Sequence, residues 1–241
     1  MRGLERTAII LAAVVFLSLF FVSIGYAQPY GADVVTVRNS TRYNASEGTV
    51  PFINAQAGNV TQLEINATSV TTSWQGFYGN VTGKILLADA AGNNFYDWNM
   101  SVPSGEVYAS RSNAVTWAGI NCTNQTALYS EETTLGQASN DPDSINNTFT
   151  LTSHPAFLVG SSNMTTCRST KAYESTGQMG SSYWQILLND GTNNVYTTLL
   201  DTAGTIGFDD RPWQFQLLVG ENGKTGQEAT ITPYYFYVEL Q

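Results

Sequence analysis

Ile186-Leu187-Leu188-Asn189-Asp190-Gly191-Thr192-Asn193-Asn194-Val195-Tyr196 is the stretch that decides the fold. An aliphatic run and a β-branched, aromatic run flank a cluster of Asp, Gly and Asn, residues that tolerate positive φ, and this is the layout of a β-hairpin. The same layout stands earlier in the chain, where Ile85-Leu86-Leu87 and Phe95-Tyr96 flank Asp89-Ala90-Ala91-Gly92-Asn93-Asn94. The two hairpins mark either two immunoglobulin-sized units or equivalent hairpins in the two sheets of one unit.

Outward from these hairpins the chain keeps a period of two, the signature of a half-buried strand. Thr61, Leu63 and Ile65 alternate with Gln62, Glu64 and Asn66, and Phe149 and Leu151 alternate with Thr148, Thr150 and Thr152. Trp213, Phe215, Leu217 and Val219 alternate largely with Gln214 and Gln216. Tyr234, Phe236, Val238 and Leu240 alternate with Tyr235, Tyr237 and Glu239. No stretch after residue 27 holds a helical period. The expected fold is therefore all-β, an antiparallel sandwich of immunoglobulin-like or jelly-roll-like kind, preceded by one N-terminal hydrophobic helix. The body is expected to run as one unit over 28–241, with two sandwiches over about 30–125 and 126–241 as the alternative.

That N-terminal helix is the apolar run Ala8–Ile24, which follows Arg2 and Arg6 and precedes Gly25-Tyr26-Ala27. The arrangement describes a secretory signal cut after Ala27, or an uncleaved anchor holding the chain in a membrane through residues 8–24. A third reading cuts after Gly3 and leaves Leu4 at the head of a filament-core helix. All three place the body outside the membrane.

Ten Asn-x-Ser/Thr triplets follow, at Asn39, Asn44, Asn59, Asn66, Asn80, Asn99, Asn121, Asn124, Asn146 and Asn163. They are candidate N-glycosylation sites on an exported surface. Cys122 and Cys167, an even count in an oxidising compartment, are expected to form one disulfide. Without residues 1–27 the chain keeps eight Lys or Arg against eighteen Asp or Glu, a net charge of −10. That balance disfavours nucleic acid and anionic lipid as partners.

Chemistry is sparse. The single histidine, His154, has no Gly-x-Ser-x-Gly partner motif and reads as a surface or edge residue beside a strand end. Glu131-Glu132 and Asp209-Asp210 are adjacent, and on strands they would face opposite ways, so neither makes a glycosidase pair. No phosphate loop or thiophilic metal set is present, and the chain is read as no enzyme and without a cofactor. Calcium is the exception, weakly, because Asp141 and Asp143 cluster oxygen donors with Asn140 and Asn146 in the loop 136–147. Tyr235 and Tyr237, on the face of the last strand opposite its apolar residues, are the candidate partner contact by strand addition or subunit contact.

The run Trp74-Gln75-Gly76-Phe77-Tyr78-Gly79-Asn80-Val81-Thr82-Gly83, continuing through Ile85 to Tyr96, resembles a group of uncharacterised archaeal exported surface proteins. Gly207-Phe208-Asp209-Asp210 through Phe215-Gln216, and the ending Tyr234-Tyr235-Phe236-Tyr237-Val238, carry the same resemblance. It implies an archaeal host and no known activity. The functional expectation is an exported, N-glycosylated cell-surface protein with a structural or binding role, its partners the cell envelope or other copies of itself. The alternatives are a carbohydrate-binding module that takes glycans on exposed aromatics, and a pilin-like or strand-exchange filament subunit.

Overall fold

The computed structural model describes residues 28–43, 53–226 and 231–241. The apolar run 8–24, its cleavage points and Asn44 lie outside the described residues, among which no helix is long and apolar enough to cross a membrane. Strands run over Tyr30–Gly31 (β1), Trp74–Gly79 (β2), Gly83–Ala88 (β3), Asn94–Met100 (β4), Gly105–Ser110 (β5) and Asn121–Cys122 (β6). Helices follow at Gln125–Thr134 (α1) and Ile145–Thr148 (α2). The remaining strands are Phe157–Val159 (β7), Ser162–Met164 (β8), Ser169–Glu174 (β9), Gln178–Asn189 (β10), Asn194–Leu199 (β11), Phe215–Gly220 (β12) and Tyr235–Leu240 (β13).

The chain is mostly antiparallel β-structure. A seven-stranded sheet has the order β1-β13-β5-β11-β10-β6, with β9 also paired to β10, so it takes strands from both sides of residue 125. The sheet is covered on both faces. On one, Tyr108, Ile186, Leu188 and Val195 pack with Phe157, Val159 and Met164 of the β7–β8 hairpin and with Cys167. On the other, Val107, Ala109, Leu187 and Tyr196 pack beneath the β12–β2 pair and the helices, through Leu217, Val219, Leu128, Ile145 and Phe149.

Burial on both faces explains why the central strands lack alternation. Residues 183–189 and 194–198 are buried without a break, including Gln185, Thr197 and Thr198. Gln185 is bonded across the layers, whereas the buried Thr197 hydroxyl has no hydrogen-bond partner among the described residues. Gln185 Nε2 donates to the Gln216 carbonyl at 2.6 Å, and Gln185 Oε1 accepts from the Leu218 amide at 2.8 Å. One side-chain amide thus adds a rung between β10 and β12, in different sheets.

Both hairpins of the sequence reading exist, and they are not equivalent. Asp190–Asn194 turns β10 into β11 in the buried sheet, whereas the Asp89 cluster turns β3 into β4 in a two-stranded sheet of its own. Two strand expectations fail. Residues 61–66 carry no strand and are exposed, Leu63 and Ile65 included. Residues 148–152 close α2 and form a single bridge, Leu151 to Ser169, because Phe149 is drawn into the core beside Tyr196. The largest miss is α1. Asn124 caps it by accepting from the Ala127 amide at 2.9 Å, but its buried side chains are Leu128, Glu131 and Glu132, so no apolar stripe announces it.

His154 is also corrected, from surface to interior. Its Nδ1 bonds the Pro155 carbonyl at 2.8 Å and its Nε2 accepts from the Cys167 amide at 2.9 Å, packed against Phe157 and Trp184. It fixes the loop that carries the Cys122–Cys167 disulfide, whose Cα atoms lie 4.9 Å apart. Across a separation of 45 residues that bond restricts the unfolded chain, and replacing both cysteines with serine is expected to cost about 2–4 kcal/mol in denaturant melts.

A second buried feature titrates. Glu106 and Glu239 are cross-strand partners on β5 and β13, both buried, and the Tyr108 hydroxyl donates to Glu239 at 3.2 Å. The Gly160 amide donates to Glu239 at 3.0 Å. Burial, reinforced by the Glu239 charge, pushes Glu106 from 4.5 up to about 8, and burial raises Glu239 as well. The folded state therefore holds a proton that the unfolded chain releases, so stability falls as pH rises from about 4.5 to about 8. Thermal melts should show a lower midpoint at pH 8 than at pH 5.5, and Glu106→Gln should remove most of that slope.

Candidate functional site

Two surface features stand out, and the β3–β4 hairpin is the more unusual. Its register pairs Ile85 with Trp98 and Leu87 with Tyr96, which puts these side chains on one face. They are 52%, 51%, 58% and 51% exposed for Ile85, Leu87, Tyr96 and Trp98, with the Tyr96 and Trp98 rings 4.9 Å apart. Together they offer an apolar patch on the order of 400 Å², within the range of the largest patch on an ordinary monomer, which is often a functional one. The opposite face holds the Lys84–Asp97 ion pair at 3.0 Å and the sequon Asn99, the cross-strand partner of Lys84. One face is apolar and free of sequons; the other mixes the ion pair and a sequon with the exposed Leu86, the cross-strand partner of Asp97. A lone two-stranded hairpin is marginal in water, so an apolar face on one is costly unless something covers it.

The second feature is an open cleft of about 720 Å³ beside α1, lined by Arg111, Asn124, Ser130, Glu131, Asn193 and Tyr235 among others. Its floor is an ion pair. Arg111 Nη2 lies 2.6 Å and Nε 3.1 Å from the two Glu131 oxygens, a bidentate contact that joins β5's exit to the helix. Tyr196 donates its hydroxyl to Glu131 at 3.2 Å, and Asn194 donates to the Ala127 carbonyl at 3.0 Å. Burial works against the Arg111 charge, but the bonds and charge of Glu131 hold the guanidinium above its ordinary value. Burial, then the Glu131 charge, raises the Tyr196 hydroxyl well above its own.

The sequence-predicted residues are scattered over the surface. Asn39, Asn59, Asn66, Asn80, Asn99, Asn121, Asn124 and Asn163 are exposed, while Asn146 is half-buried, its Oδ1 accepting from Gln125. Tyr235 lies exposed at the cleft rim, but Tyr237 does not share an exposed face with it. Tyr237 packs on Trp117 and donates to the Ser112 carbonyl at 3.0 Å, because the sheet is covered on the face where β13 was expected to meet solvent.

The weak calcium residues have a cation already. Lys224 Nζ lies 3.0 Å from Asp141 and also pairs with Asp143, and Thr71 donates to Asp143 at 2.7 Å. Among the described residues no group of three or more His, Cys, Asp or Glu is placed to hold a metal. Glu131 and Glu132 do not face opposite ways on a strand: both are buried on α1, each with its own partners, Glu132 accepting from the Asn146 amide at 2.6 Å and bonding Ser139.

What sequence reading missed was the exposure of the hairpin, since Ile85, Leu87 and Trp98 have the composition of core residues. The available signal was topological: strands flanked by polar turns, with no second apolar segment nearby to cover them. No protein-family model, curated protein or solved structure matches this chain.

The ion pair yields a test. Arg111→Ala strands a buried carboxylate and is expected to cost about 2 kcal/mol, below the value for a fully buried pair because Arg111 is partly exposed. Glu131→Gln should cost less, since an amide keeps hydrogen-bond partners in Tyr196 and Arg111. Urea denaturation of the two variants measures both.

Proposed function

We propose that this chain is an exported, N-glycosylated surface protein of an archaeal envelope with a structural or binding role, acting by protein contact and not by catalysis. The observation that carries the reading is the β3–β4 hairpin, whose apolar face is bare and whose opposite face bears Asn99. A glycan blocks close packing on the side it stands on, so this distribution favours contact through Ile85, Leu87, Tyr96 and Trp98. The eight exposed sequons and the positively flanked apolar N-terminus support an extracellular location, held to the membrane if residues 8–24 stay in place. We read the body as a single sandwich, with the seven-stranded sheet as one layer and β12–β2, eked out by α1 and α2, as a thinner second layer.

A carbohydrate-binding role is the second reading, carried by the polar cleft with Tyr235 at its rim. Asn124 lies in the same cleft, and a glycan there would fill it. Light scattering on full-length glycosylated protein over a range of concentrations separates the two. Self-association that weakens at least tenfold in Trp98→Ser, but not in Leu86→Ser on the opposite face, supports the contact reading. A protein that stays monomeric, and whose binding to a glycan panel is lost in Tyr235→Ala, supports the cleft instead.

A further inference from the structure

The second layer of the fold ends before the first one does. On β5, Val107 and Ala109 are fully covered, yet their direct neighbours across the sheet, Val238 and Phe236 of β13, are only half-buried on that same face. Above them the layer stops at β2. Val219 of β12 is fully buried, whereas its cross-strand partner Gln75 on β2 is exposed. A strip the width of one strand therefore runs beside β2, floored by Phe236 and Val238 and walled by Phe77, whose ring stands edge-on to Phe236 at 5.1 Å.

The backbone beside this strip is unpaired. The Glu221 amide donates to the Ser73 carbonyl at 2.7 Å, so odd-numbered residues of the strand face β12 and Trp74, Gly76 and Tyr78 turn their amides and carbonyls to the strip. β2 has no strand on that side among the described residues, the one contact being Gln75 Nε2 donating to the Gly76 carbonyl at 2.8 Å. An open edge beside an apolar floor is a template for one more strand.

The chain contains a segment of that form that pairs with no strand among the described residues. The connection from β1 to β2 spans residues 32–73, and every described residue from 33 to 69 is exposed. Within it Thr61, Leu63 and Ile65 make one face and Gln62, Glu64 and Asn66 the other, six residues against the six of β2. Asn66 is a sequon, so the face opposite Leu63 and Ile65 is the one that would carry the glycan. Resting on the reading that this protein works by self-contact, we infer that Thr61–Asn66 of one copy adds as a strand to the free edge of β2 in a second copy. Leu63 and Ile65 then cover Phe236 and Val238, and Asn66 points to solvent.

The occupant is a second copy because the chain's own route leads elsewhere. Thr71 is tied to Asp143, the Thr72 carbonyl lies against Gly223, and Ser73 is bonded to Glu221, all on the β12 side of β2. The arm is long enough for a neighbour. Measured from the tied Thr71, Asn66 can stand off by up to about 17 Å and Thr61 by up to about 34 Å at roughly 3.4 Å per residue, enough for a copy packed directly alongside. Each copy gives one arm and offers one edge, so a reciprocal exchange closes a two-fold dimer and a one-way exchange builds chains or rings.

Cysteine cross-linking tests this. Full-length Leu63→Cys chains mixed with Val238→Cys chains under mild oxidation should yield a disulfide-linked heterodimer on a non-reducing gel. Glu64→Cys, on the outward face, should give at least tenfold less. Absence of the heterodimer while light scattering still reports assembly overturns the strand addition and leaves the contact reading standing. Absence of both overturns the two together. A doubly substituted chain that closes on itself in excess unsubstituted protein overturns the second-copy assignment. Should Val238→Cys fail to fold, the exposed-arm variant Leu63→Asp with Ile65→Asp decides. It should reduce assembly at least tenfold, and unchanged assembly overturns the inference.

Discussion

The side-chain amide of Gln185 does between two layers what a peptide group does within one. It donates to β12 through Nε2 and accepts from it through Oε1, at 2.6 and 2.8 Å, from a strand buried on both faces. A central sheet with no wet face has no solvent to satisfy its polar side chains, so each must find a protein partner or be costly. The central sheet meets that condition at its large polar side chains and leaves it unmet at the buried Thr197 hydroxyl. Gln185 joins β10 to β12, Asn194 and Tyr196 hold α1 to β11, and Glu239 holds the β7–β8 turn at Gly160 to β13. The same condition makes Glu106 and Glu239 share a site in which full ionisation is resisted.

Covering is generous in the middle and incomplete at the margins. β10, β11 and β5 lie under both layers, but β13 lies under only one and a half, and the β3–β4 hairpin under none. The residues left uncovered there are of core type, and the polar ones nearby carry the sequons. A surface divided this way is suited to contact on its bare parts and to solvation on its glycosylated ones.

The period of two was a faithful guide to composition and a poor guide to partners. Leu217 and Val219 alternate in sequence and are buried in β12, yet Gln216 between them is buried too, donating to the Tyr173 carbonyl at 2.9 Å. Thr61 to Asn66 alternate more cleanly and pair with no strand among the described residues. Helix α1 was illegible because its inward side chains include two glutamates, whose counterparts, Arg111 and the Asn146 amide, come from other segments. His154 was misplaced for the same reason, its role being defined by Cys167, 13 residues away.

By itself the sequence determined the β character of the body, both hairpin turns, the cysteine pair and the positions of the sequons. Each of these rests on residues adjacent in the chain, on turn chemistry, or on the count of a single residue type. Tertiary structure alone decided which apolar strands are covered and which are not, that Tyr237 is interior while Tyr235 is not, and that Asp141 and Asp143 face Lys224. Those outcomes depend on contacts between segments far apart in sequence, and burial is a property of the neighbour as much as of the residue.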